Sequence, residues 1–214
     1  MVMKALQKLF GVCCVFASAL AVQGQNRSFS YFNLNVGGVI QQDLKVKEAL
    51  GLPVSGGKIT FDPGFRFDVS GGYSFYDTVR VGLETGWLYN SINELKSGGL
   101  TLSPNAAFGS DVSYWQVPIL GNVIFTPPTR SIFRPYIGAG VGGVASIIEG
   151  SAINTESDFT FAYEGIAGFA FAIAPQMDFG VGYKFLGTLD HTFDTIKTRE
   201  AYSHSILASF TFRF

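Results

Sequence analysis

The chain has 214 residues, of which only 14% are charged, and it carries 21 phenylalanines and 26 glycines. A soluble domain has about 25% charge, so much of this surface is expected to face something other than water. The net charge of −1 excludes an electrostatic nucleic-acid binder. Both cysteines, Cys13 and Cys14, lie near the N-terminus, so no disulfide framework, thiolate metal site or cofactor is expected in the body of the chain.

In chain order, residues 1–24 read as a secretory signal peptide. Lys4 and Lys8 precede the apolar run "LFGVCCVFASALAV", and small residues close it at Ala19, Ala21 and Gly24. Removing this segment leaves 13 basic and 16 acidic residues, a net charge of 13 − 16 = −3. Residues 25–214 form the second region, in which apolar residues recur with a period of two.

The second of eight such segments shows the pattern best. Phe61, Pro63, Phe65, Phe67, Val69, Gly71, Tyr73 and Phe75 share one face, and Asp62, Gly64, Arg66, Asp68, Ser70, Gly72 and Ser74 the other. The other segments begin near Tyr31, Val79, Tyr114, Arg134, Thr160, Asp178 and Tyr202. Short turns are expected at 76–78, 126–131 and 174–176, and longer loops at 44–57, 92–111, 148–158 and 188–200. Each segment exceeds the roughly 9 to 11 tilted residues needed to cross a bilayer. The expected fold is therefore all-β, an eight-stranded antiparallel up-and-down transmembrane β-barrel.

Volume decides which face is inside. Eight strands enclose only enough room for side chains to fill, and the apolar face holds most of the bulky aromatics, so it points outward. The opposite face is rich in glycine and carries Asp62, Arg66, Asp68, Arg80, Glu84, Arg134, Glu164, Asp178, Lys184 and Arg213. Five charges of each sign in a narrow interior can neutralise one another. The two readings are a salt-bridged plug and a charged ion pathway; the plug is preferred, because an unpaired buried charge is costly. The same face explains "RPYIGAGVGG", where Gly138, Gly140 and Gly143 have dinucleotide-loop spacing. No helix opens after it, as phosphate binding requires, so glycine facing the lumen at the even positions, Gly138, Gly140 and Gly142, is the better account.

In "FDPGFRFDVSGGYSF", "VRVGLETGWLYN", "WQVPILGNVIF", "RPYIGAGVGG" and the terminal "SFTFRF", the chain resembles the small outer-membrane β-barrels of Gram-negative bacteria, of the OmpX, OmpA-transmembrane-domain and opacity-protein type. The resemblance implies a cell-surface protein of the outer membrane, surrounded by outer-membrane lipid. It also implies that Phe210, Phe212 and Phe214 are the assembly signal read by the barrel-assembly machinery. Lipid A deacylases of similar fold place a Ser two residues after a His, whereas here Phe193 follows His191 and Ile206 follows His204. His191-x-x-Asp194 is read as a solvated polar turn. The expected function is structural or adhesive, with loops presented at the surface by a monomer and no enzymatic activity. The alternatives are a narrow channel for small solutes or ions, porin-like only in the broad sense, and, third, a lipid-modifying enzyme. The loops show no pattern that names a ligand.

Overall fold

A computed structural model describes residues 28–214 apart from 50–51, 98–99, 109–110, 130, 151–152 and 194–195. The expected signal peptide thus lies outside the described residues. The strands are β1 (Phe29–Gln41), β2 (Leu44–Ala49), β3 (Leu52–Phe61), β4 (Gly64–Phe75), β5 (Val79–Ser97), β6 (Leu100–Leu102), β7 (Val112–Phe125), β8 (Phe133–Gly150), β9 (Ile153–Ala174), β10 (Met177–Thr188), β11 (Ile196–Thr198) and β12 (Ala201–Arg213), with one short helix, α1 (Pro104–Phe108).

Antiparallel pairing runs β1–β4–β5–β7–β8–β9–β10–β12 and returns from β12 to β1. These eight strands hold the eight alternating segments. The sheet as a whole has twelve strands rather than eight, because much of what reads as loop is paired backbone. The 44–57 stretch folds as the β2–β3 hairpin, β6 and β11 add further edges, and β9 runs for 22 residues. The extra strands gather at one end, where β11, β2, β3 and β5 pair in order beyond the ring. Leu44, Ile59, Ile92, Val112, Tyr114, Ile148, Phe193 and Ala201 form an apolar core beneath them, which is why these segments extend rather than fray.

The opposite end holds the tight connections. Tyr76 and Asp77 both adopt positive φ, 53° and 54°, in the two-residue turn that matches strand twist. There the first and last strands of the ring meet: Ser30 N donates to Phe214 O and Phe214 N to Ser30 O.

Outward alternation is plain from exposure, with Leu83 at 62%, Ile137 at 62% and Ile206 at 69% on the outer wall. Two local features depart from the regular pattern. At Asp62–Pro63 the line from β3 to β4 breaks, since proline offers no ladder N–H. The β5–β7 ladder also skips from Thr85↔Ile119 to Leu88↔Gln116, beside Pro118, for the same reason.

Candidate functional site

The interior is built in layers. At the centre, Arg66 and Asp68 from β4, Glu84 from β5, Glu164 from β9 and Lys184 from β10 are all buried. Arg66 is wholly enclosed, at 0% exposure. Its Nε donates to both Asp68 oxygens at 3.0 and 2.9 Å, and its Nη2 donates to Glu84 at 3.2 Å and Glu164 at 2.5 Å. Lys184 Nζ reaches Glu84 at 2.5 Å, Asp68 at 3.0 Å and Glu164 at 3.7 Å. Asn122 of β7 donates to Glu84 at 3.0 Å. Five strands are thereby tied by charge-assisted bonds, which are roughly twice as strong as neutral ones.

Glycine makes the room. A Cβ on Gly140 would collide with the Asn122 side chain, and Cβ atoms on Gly168 and Gly182 would each meet the inward-pointing Tyr136 hydroxyl at 2.5 Å. The dinucleotide-like spacing therefore sits within β8, a strand with no helix after it.

Residues 10–214 match the family described as outer membrane protein beta-barrel domain. The chain belongs to this family. It is a β-barrel protein of the cell outer membrane. Among solved structures its fold resembles Neisserial surface protein A, at TM-score 0.59 and 16% identity, covering 86% of this chain and 97% of that one. It also resembles OprG from Pseudomonas aeruginosa, at TM-score 0.57 and 16% identity, covering 90% and 100%. The outer membrane protease OmpT from Escherichia coli follows at TM-score 0.52 and 10% identity, covering 91% and 99%. At such identities the likeness is one of fold. No curated protein matches the chain in sequence.

In this outer-membrane barrel the short-turn end faces the periplasm and the extension faces outward. The ten charged residues read from the sequence do not form one network. Arg134 and Arg213 form a second group at the periplasmic end, where Asp178 bridges them and Asp77 also holds Arg134. Arg80 sits between the Tyr31 and Tyr136 rings, 5.8 Å from each centroid, and donates to Thr126 at 3.2 Å. Asp62 joins neither group. It lies exposed at the strand break, where its backbone N–H donates to Ser91 O and its carbonyl accepts from Asn90. Strict alternation would turn its side chain inward, and the break at Pro63 cancels that alternation.

The interior is also less polar than the alternation suggests. Val39, Leu88, Leu120, Val144, Ala162 and Leu186 form a buried apolar layer. On β7, β9 and β10 its members stand two residues outward of Asn122, Glu164 and Lys184, so the layer covers the charged cluster on its extracellular side.

His191 lies in no solvated turn. It is fully buried, stacks on Phe193 at 5.7 Å, and sets Nδ1 3.2 Å from Asp158 Oδ2 and Nε2 2.8 Å from Thr188 Oγ1. Asp194 lies outside the described residues. Burial holds the His191 pKa below the usual histidine range, outweighing Asp158, which favours the charged ring. The neutral ring therefore belongs to the closed loop, and an opened loop takes up a proton near pH 6.5. Closure of residues 189–193 should be most stable above about pH 6.5 and weaken as pH falls below it. Hydrogen exchange of this loop should quicken several-fold between pH 7.5 and 5.5 after correction for intrinsic rates, and His191→Gln should remove that dependence. An unchanged protection factor would refute the assignment.

Proposed function

We propose that this is a non-enzymatic surface barrel of structural or adhesive type, which holds its interior shut and presents the β2–β3, β5–β6 and β8–β9 extensions outside the cell. The observation that carries the reading is the filled centre: a fully enclosed Arg66 shared by three carboxylates, beneath an apolar layer contributed by six of the eight ring strands. Such a plug fixes the wall, and the apolar core of the extension fixes what the wall displays. The hydrogen-bonded series Asp158–His191–Thr188 has the composition of an acid–base relay, but Thr188 is 1% exposed and offers a substrate no nucleophile.

Cells producing the protein with residues 45–58 replaced by a short turn should attach less to surfaces than cells with the full chain, at equal barrel levels. Equal attachment would overturn the adhesive role. The narrow-channel reading has one supporting observation. Gln41 Oε1 and Nε2, Ser203 Oγ and Ser205 Oγ are buried along the β1–β12 seam without protein partners, which suits ordered water.

The closing strand carries a further proposal, that Phe210, Phe212 and Phe214 serve as the signal for the barrel-assembly machinery. Phe214 is exposed at the periplasmic end, and Phe210 packs on Phe179 at 5.3 Å. Deleting Phe214 should lower assembly in cells far more than it lowers stability after refolding in detergent. Equal losses in the two measurements would leave Phe214 an ordinary membrane-facing residue.

A further inference from the structure

On the outer wall, where β5, β7 and β8 leave the lipid-facing band, lies an open cleft of ≈ 510 Å³. Its lining includes the Tyr89 and Trp115 rings, with centroids 4.6 Å apart and planes inclined at 55°, so that together they form an apolar corner. Its rim carries Asp111, Ser113, Glu149 and Thr155. A smaller depression adjoins it on the membrane side, shares Trp115 and Glu149, and is otherwise lined by Trp87, Val117 and Ile147. The cleft therefore sits at the level where lipid contact gives way to water.

Most carboxylates of this molecule are paired, and the cleft holds two that are not. Asp43, Glu48, Asp77, Glu94, Asp158, Asp178 and Asp190 each have a Lys, Arg or His within ion-pair distance, as do the three buried carboxylates of the central cluster. Asp111 and Glu149, like Asp62 and Glu200, have no such partner among the described residues, and of these four only Asp111 and Glu149 line the cleft. Two uncompensated carboxylates lining the same cleft as two electron-rich rings make a site selective by charge as well as shape. Anions such as phosphate are repelled, a neutral molecule leaves both carboxylates unanswered, and an alkyl tail wastes the polar rim. A cationic nitrogen that carries carbon substituents satisfies every wall, because its charge meets the carboxylates and ring faces while its methyl or ring carbons pack in the corner. Ser113 and Thr155 add hydroxyls for a polar substituent.

We propose that this cleft binds an organic ammonium cation, of the choline or amino-sugar class, at the outer surface of the barrel. Both sources share the ammonium group, and they differ in whether methyl groups or ring hydroxyls accompany it.

The test uses the full-length barrel refolded in a non-ionic polyoxyethylene detergent at low salt. Trp87→Phe leaves Trp115 as the single tryptophan of a chain that has two. Titration with choline and, separately, with glucosamine should change Trp115 emission saturably for at least one of them, and the stronger response identifies the source. Glucose at the same concentrations should give no saturable change. Adding Asp111→Asn and Glu149→Gln should weaken the response at least tenfold while leaving the heat-dependent gel mobility of the folded barrel intact. The proposal is overturned if neither ammonium compound gives saturation, if glucose matches them, if Mg²⁺ alone reproduces the response, or if the carboxylate variant binds as well as its parent.

Discussion

Replacing Arg66 with Met should destabilise the barrel by about 3–5 kcal/mol, the cost of removing one partner from a buried charge cluster. Arg66 answers Asp68, Glu84 and Glu164, and once it is gone Lys184 alone faces three buried carboxylates. The apolar layer outward of them offers no polar group to replace the lost guanidinium. Glu84→Gln offers the informative contrast. It leaves two cations opposite two carboxylates and keeps an oxygen for Lys184, so its cost should be much smaller. Urea unfolding in detergent or lipid, followed by heat-dependent gel mobility, measures both. If the two substitutions cost the same, the cluster acts through packing volume rather than through charge.

The second large effect belongs to the opposite face. Leu83 stands on β5 at 62% exposure, in register with Gly71 on β4 and Gly121 on β7, and its neighbours leave its side chain open to lipid. Leu83→Arg should cost about 2–4 kcal/mol in a bilayer, the penalty for a basic residue near the midplane of a transmembrane barrel. The loss should shrink for the same substitution at Leu102, which is exposed on the extension beyond the lipid-facing wall. A silent Leu83→Arg would reverse the assignment of faces.

Much of this was legible because a barrel wall repeats one simple rule. Phe65, Phe67 and Val69 alternate with Arg66, Asp68 and Ser70 for a single physical reason, lipid outside and a crowded polar lumen inside, and local pattern alone reveals it. Where the environment changes, the rule stops working. The 44–57 stretch, with its lysines and glycines, reads as a loop, yet Leu44 within it and Ile59 just beyond it become strand residues by packing with Phe193 and Tyr114, which lie far away in sequence. Leu88 sits inward against the expected polarity because the charged cluster needs an apolar cover. The run Trp87-Leu88-Tyr89, apolar on both faces, was the available sign. Asp62 lost its inward place to Pro63. His191 gave no local sign of burial, since what encloses it comes from β9, β10 and Phe193 together.

Single-channel recording of the refolded, full-length barrel in a planar bilayer tests the sealed interior most directly. The cluster around Arg66 and the apolar layer of Leu88, Leu120, Val144 and Leu186 predict insertion without steady open-state current, and discrete openings only when the cluster is broken by Arg66→Met. Steady conductance steps from the unaltered protein, in proportion to the number of barrels inserted, would contradict the sealed barrel and establish the interior as a pore.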